Sequence, residues 1–276
     1  MPAKKVSARV QAAADPQAAA DLLGLFAADA SPSVRRVVAA RTDAPAEVLV
    51  VLAADKDLRT RQALVGNPAC PPEALAVLAR DPHWSVRLDV PDHPNLDAAT
   101  IDLICAAGDK DLRGCLAQRA DLGAATARRL TGDPARSVRA ALAQCTRDGE
   151  ALAALVADPD ASVRAATVHN PRLTEEQRDR LVRDPRAEVR AAMAAHTLLN
   201  EDDLRLLAAD RSVNVRWWLA TSPATPDHIL RRLADDPDTE TQAKATLARP
   251  RSDKSSFRRF LAAEERGSRR SSEISG

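Results

Sequence analysis

Pairs of leucines three residues apart recur along the chain, at Leu49 and Leu52, Leu75 and Leu78, Leu152 and Leu155, Leu204 and Leu207, and Leu230 and Leu233. That spacing places two branched side chains on one helical face, as a short helix lying against a core needs. A turn Asp follows each pair, and in most copies a Val and then an Arg come next, before a polar break. The breaks at Asn67-Pro68, His93-Pro94, Asn170-Pro171 and Ser222-Pro223 fall at equivalent places. Proline disfavours a helical residue before it and removes a donor, so the pattern predicts a second helix that must stop there. Acids then open the next leucine helix, as in Pro72-Glu73 and Glu175-Glu176.

Nine copies anchor on Asp29, Asp55, Asp81, Asp109, Asp133, Asp158, Asp184, Asp210 and Asp236, spaced 26, 26, 28, 24, 25, 26, 26 and 26 residues apart. Self-similarity at a fixed period is the mark of a solenoid and outranks any element-by-element reading. Six residues after the anchor stands Arg35, Arg61, Arg87, Arg139, Arg164, Arg190 or Arg216, with Cys115 and Gln242 as the exceptions. One residue before that Arg, six copies carry Val34, Val86, Val138, Val163, Val189 or Val215. A repeat of ~26 residues has room for one helix of roughly ten residues and one of two turns or fewer.

The pattern Asp-Pro-x-x-x-Val-Arg, followed by Asn-Pro-x-x-Pro-Pro-Glu-x-Leu-x-x-Leu-Ala, resembles the leucine-rich repeat variant family and, secondarily, HEAT-like repeats. Residues 66–82, from Gly66-Asn67-Pro68 to Asp81-Pro82, are the nearest single copy. The resemblance covers about residues 29–249 and implies an all-α, right-handed α-solenoid in which long α-helices alternate with short α or 3₁₀ helices. Members of the family can carry an N-terminal cysteine cluster holding an iron–sulfur centre. Here the cysteines are Cys70, Cys105, Cys115 and Cys145, dispersed over the repeats, so that cofactor is not carried over.

Residues 1–28 read as an N-terminal helical cap whose Leu22, Leu23, Leu25 and Phe26 dock on the first repeat. Residues 29–250 are the repeat body, and 251–276 a basic, Ser/Arg-rich tail with the composition of a partly disordered segment. Within the body, 109–157 is degenerate: the Arg gives way to Cys115, the Pro break vanishes at 120–123, and one copy shrinks. A local change in twist is expected there. The last copy lacks both Val and Arg and reads as a polar end unit.

Composition then narrows the function. The net charge is +1, but the body 29–250 is net −3 and the excess of positive charge lies at the two ends. A mildly acidic body argues against phosphate-backbone binding as the main business, since that rests on clustered Lys and Arg. The four cysteines have no CxxC spacing, so reduced thiols and a cytoplasmic setting are expected. No long apolar run suggests a signal peptide or a membrane span, and no Gly-rich phosphate loop occurs among nine glycines. His93, His169 and His196 fall at or beside the break position, where a turn role explains them better than metal ligation. No cofactor, metal or small-molecule substrate is expected.

Two features remain as candidate contact sites. The Arg at the sixth position would make a stripe along one face, suited to an acidic protein surface or to phosphates. Alternatively each Arg pairs with the turn Asp of its own or the adjacent copy, a reading favoured by their joint recurrence. The second feature is decoration. Eight residues after the anchor, copies agree on Ala63, Ala117, Ala141, Ala166 and Ala192, whereas Asp89 and Trp218 depart, with Trp217 beside the latter. Places that break a local rule are where function tends to sit, and exposed Trp is a favoured interface anchor. Trp84, placed in a turn, joins them.

HEAT-like DNA glycosylases hold a damaged nucleotide with Trp and an acidic residue, and Trp84, Asp89, Trp217 and Trp218 are the right types. Five copies apart, at ~8–10 Å per packed layer, they would be roughly 40–50 Å apart, too far for one site. The sequence therefore points to a non-catalytic helical-repeat scaffold engaging a protein or peptide along an extended face. Nucleic-acid binding through the Arg stripe and basic tail, with or without base chemistry, is the alternative.

Overall fold

The computed structural model describes residues 2–196 and 199–248. Among them lie nineteen α-helices and no strand. They are α1 (Pro2–Ala14), α2 (Ala20–Ala27), α3 (Pro32–Ala39), α4 (Ala46–Leu52), α5 (Leu58–Val65), α6 (Pro72–Leu78), α7 (Trp84–Arg87), α8 (Ala98–Ala106), α9 (Lys110–Ala117) and α10 (Ala124–Leu130). There follow α11 (Arg136–Cys145), α12 (Gly149–Val156), α13 (Ala161–Thr167), α14 (Glu175–Val182), α15 (Ala187–Ala194), α16 (Glu201–Ala208), α17 (Val213–Thr221), α18 (Asp227–Leu233) and α19 (Thr239–Ala248). Even-numbered helices carry the leucine pairs and odd-numbered ones the Val-Arg positions. The chain divides into two compact units, Met1–Leu181 and Val182–Gly276. The expected tail, 251–276, lies outside the described residues.

The expected difference in helix length is not found. The Val-Arg helix is α-helical wherever it forms, and at eight residues α3 is longer than its leucine partner α4 at seven. Small alanines explain this. Within each unit the odd helices pack on one another more closely than the even ones do, and Ala39, Ala117, Ala143, Ala194 and Ala220 are buried there. The exception is α7, cut to four residues. Pro91 stands where these alanines stand in other copies, and it forces the chain out of helix after Arg87.

The leucine positions are core. Leu49, Leu52, Leu75, Leu78, Leu152 and Leu155 are all at most 1% exposed. The Val position is equally buried, with Leu112 in the fourth copy, and in the two copies that lack an aliphatic, Thr60 and Thr241 fill it. Each threonine hydroxyl donates to the Asp three residues earlier, Asp57 at 2.9 Å and Asp238 at 2.8 Å, so its polarity is satisfied. At the amino end Leu23 and Phe26 dock as expected, but Leu22 and Leu25 face solvent.

The fourth copy requires a correction. Its anchor is Ala107, not Asp109. Ile104 and Leu112, three residues before and five after Ala107, are fully buried, and Arg113 donates to the Ala107 carbonyl as Arg35, Arg61, Arg87, Arg139, Arg164, Arg190 and Arg216 do to their own anchors. Asp109 is a two-residue displacement of the carboxylate alone: it caps α9 through the Asp111 and Leu112 amides while still receiving Arg87. The intervals of 28 and 24 thus become two of 26, which leaves the 25-residue copy between Asp133 and Asp158 as the irregular spacing in 109–157.

Two hydrogen-bond ladders stitch the copies. In the first, Arg113 Nε and Nη2 reach the two Asp133 oxygens at 2.6 and 3.1 Å, while Arg139 does the same to Asp158 at 2.7 and 3.1 Å. Each third donor goes to the backbone carbonyl of the Arg's own anchor, and each Asp also accepts the amide two residues on, as Asp133 does from Ala135. One Arg therefore closes its own turn and grips the next. The first unit adds Arg9 to Asp29 at 2.7 Å, and the second repeats the arrangement at Arg190–Asp210 and Arg216–Asp236.

The second ladder uses the break position. Asn67 donates at 2.8 Å to both the Ala39 and Arg41 carbonyls, and Asn170 to those of Ala143 and Thr146, supplying partners that a helix C-terminus lacks. His93 serves likewise: Nδ1 accepts the Asn95 amide, which leaves the proton on Nε2 to donate to the Asn67 carbonyl at 2.9 Å. Where Pro is missing, Arg41 and Arg119 do the reaching, each also paired with an Asp two residues on. Ser222 is too short for the task, and its buried hydroxyl has no partner.

Asn67→Ala should lower stability by about 1–3 kcal/mol, because the buried Ala39 carbonyl and the part-buried Arg41 carbonyl lose their donor. Ser222→Asn should raise it by about 1 kcal/mol by restoring a missing rung. Urea midpoints followed by circular dichroism test both. Equal midpoints for the wild type and Asn67→Ala would show that the break side chains do not stitch the copies.

Candidate functional site

The ladder accounts for the arginine stripe. Arg35, Arg61, Arg87, Arg139, Arg190 and Arg216 side chains are between 6% and 24% exposed, each with a carboxylate of the next copy on its guanidinium. Arg164 donates to the Asp158 carbonyl at 2.7 Å. Their donors are committed inside the stack, so the stripe is not an open row of cations. Sequence reasoning missed two members, Arg9 and Arg113; setting the register by buried aliphatics instead of by Asp would have found both.

In the first unit, Trp84 opens α7 and is 63% exposed, stacked on His83 with ring centroids 5.8 Å apart. The early end of α7 leaves Asp89 and Asp92 on turns beside a cleft of about 280 Å³, walled by Val65, Gly66, Pro68 and Pro94. Neither carboxylate has a hydrogen bond or an ion pair, unlike the ladder aspartates. Although Asp89 reaches solvent, desolvation by the cleft walls, and then repulsion from Asp92, push its pKa up.

Cys115 is the equivalent residue one copy on, and burial, followed by the charges of Asp92 and Asp111, raises its thiol. Burial pushes the Cys70 thiol up to about 12. A thiol held protonated is a poor nucleophile and a poor ligand. Among the described residues no group of three or more His, Cys, Asp or Glu is arranged to hold a metal ion.

In the second unit, Trp217 and Trp218 lie on α17 with their rings edge to face, centroids 5.1 Å apart at 88°. Trp217 is half-buried and carries Lys244 of α19 over its face, the ammonium 5.9 Å from the ring centroid. Trp218 stays 42% exposed, at the position filled by alanine in four other copies, and Val213 on the same helix is 44% exposed. Trp217 thus fills space against the neighbouring helix, while Trp218 projects from it. Trp84 and Asp89 belong to one compact unit, and Trp217 and Trp218 to the other.

No helix among the described residues is long and apolar enough to cross a membrane. No protein-family model matches the chain, and no curated protein matches it. Solved structures do. The chain is similar to a leucine-rich repeat variant with a novel repetitive protein structural motif, at 24% identity over 83% of this chain and 81% of that one, with a TM-score of 0.47. It is also similar to a designed armadillo repeat protein in complex with the peptide (KR)4, at 16% identity over 87% of this chain and 83% of that one, with a TM-score of 0.14.

Proposed function

We propose that the protein is a non-catalytic helical-repeat scaffold that binds a protein or peptide through its Val-Arg helices. The observation that carries this reading is Trp218. A large aromatic stands half in solvent where four other copies use alanine (Ala63, Ala141, Ala166 and Ala192), and holding it there exposes apolar surface that the fold does not need covered. Trp84 in the first unit is a second such anchor. Protein is favoured over nucleic acid because the guanidinium donors are consumed by the ladder. Asp89 and Asp92, moreover, present negative charge without a cation of their own.

Panning the immobilised protein against a random peptide library tests the reading. Selected peptides should bind on the order of tenfold more weakly to Trp218→Ala, with the helical circular dichroism unchanged, because a buried Trp anchor contributes upward of ~1.4 kcal/mol. Peptides that bind equally well after both Trp84→Ala and Trp218→Ala would overturn it.

A further inference from the structure

The leucine helices of the first unit carry a second surface. Four residues before each anchor, on the solvent side, stand Leu25 on α2, Val51 on α4 and Val77 on α6, exposed by 71%, 67% and 44%. One helical turn earlier on the same helices stand Asp21, Glu47 and Glu73, all exposed. None of these three acids has an ion pair or a side-chain hydrogen bond. An apolar row and an acidic row therefore run side by side across three neighbouring helices. Between α4 and α6 the apolar row opens into a cleft of about 390 Å³ lined by Ala53, Ala54, Val77 and Arg80 and closed at its end by the Arg61–Asp81 pair.

Later copies supply an internal control. The position of Val51 and Val77 becomes Arg129 on α10, Arg180 on α14 and Arg232 on α18, and stays apolar as Leu103, Ala154 and Leu206 in the copies between. Around α10 the neighbouring acids are answered: Arg129 donates to Asp102 at 3.0 Å and Arg128 to Glu150 at 2.9 Å. Arg is the better helix former, and exposed Val gains nothing from burial, so the fold itself gives no reason for Val at this place. What sets the early copies apart is apolar surface paired with unanswered negative charge.

We infer that this face of the first unit docks a basic amphipathic helix of a partner protein. Charge selects the flank, since three acids without cations call for Lys or Arg beside the apolar contacts. Geometry selects a helix. Packed helices lie about 8–10 Å apart, with the looser leucine row toward the upper end, and residues seven apart on a helix are separated by about 10.5 Å. A helix laid across α2, α4 and α6 can thus set every seventh residue against Leu25, Val51 and Val77 in turn. An extended strand, with same-side residues about 6.7 Å apart, falls out of step. The site is distinct from Trp84 and from Trp218, and either reading can fail without the other.

The probe is a fluorescein-labelled helical peptide of about 21 residues with Leu at every seventh position and Lys or Arg flanking that stripe. Anisotropy titration into the full-length protein should show saturable binding that weakens as salt rises. Binding should fall on the order of tenfold or more in the Val51→Arg/Val77→Arg variant, whose fold is protected because other copies carry Arg at that place. Glu47→Lys/Glu73→Lys should weaken it and flatten the salt dependence, whereas Trp218→Ala should leave it unchanged. Equal affinity for the Arg variant, or equal binding of a peptide with Glu in place of Lys and Arg, overturns the assignment. So does sedimentation showing a dimer that Val51→Arg dissolves, which would make a second copy the occupant.

Discussion

Arg113→Ala is expected to destabilise the protein by about 3–5 kcal/mol, although the residue lies in the copy whose sequence is least regular. Its side chain is 8% exposed and that of Asp133 4%, and the pair is held by two hydrogen bonds from the guanidinium fork. Truncation strands the Asp133 carboxylate in the interior with only the Ala135 amide. It also frees the Ala107 carbonyl. Such pairs cost more to break than they contribute when whole, so Arg113→Met with Asp133→Leu should restore most of the loss. The exposed Arg128, which serves Asp148 and Glu150 from the surface, is the contrast: Arg128→Ala should leave the urea midpoint nearly unchanged. Urea unfolding gives the magnitudes, and hydrogen exchange should place the loosening at α9 and α11. A loss below about 1 kcal/mol for Arg113→Ala would remove the ladder as the element joining copies.

Why this rung escaped a reading of the sequence is instructive. The fold was legible because burial must recur: a stack cannot form unless Leu75, Leu78 and their counterparts return at the same interval. Counting from aspartates failed once, where the carboxylate had moved to Asp109 while Ile104 and Leu112 stayed in frame. Apolar positions are held in place by packing, whereas a carboxylate on a turn can shift by two residues and still be reached. The pairing of Arg with Asp was open in one dimension, because sequence does not tell which way a guanidinium points. The separations carried the answer: 20 residues for Arg35–Asp55 and Arg113–Asp133, 19 for Arg139–Asp158 in the shortened copy, and 22 for Arg87 with the displaced Asp109. The truncated α7 was also in view at Pro91. Of the aromatic candidates, sequence could rank Trp217 and Trp218 together but not separate the one that fills space from the one that projects.

The ladder also dictates the response to acid. Stability should be level from neutral pH down to about 5 and fall steeply below about 4, near the ordinary aspartate value. The carboxyls of Asp29, Asp55, Asp109, Asp133 and Asp210 all lie below that value: burial acts to raise them, but the Arg hydrogen bonds and the amide two residues on outweigh it. For Asp236 the Arg216 hydrogen bond is the largest influence and burial opposes it. A folded value below the unfolded one means that stability is fully present above the unfolded value. It is then lost as pH falls through the lowered folded value, when each carboxyl must take up a proton and release its guanidinium. Half-open rungs such as Arg87–Asp109 contribute less because solvent screens them, and the inner ones dominate. Adding 1 M salt at pH 7 should change little, since a screening length of about 3 Å acts on exposed charges far more than on buried pairs. The Arg113→Met/Asp133→Leu variant has one titrating rung fewer, so its urea midpoint should decline less steeply between about pH 4 and 2. A midpoint that stays level to pH 3, or a variant with the same slope as the wild type, would mean that these carboxylates are not what the native stack holds ionised.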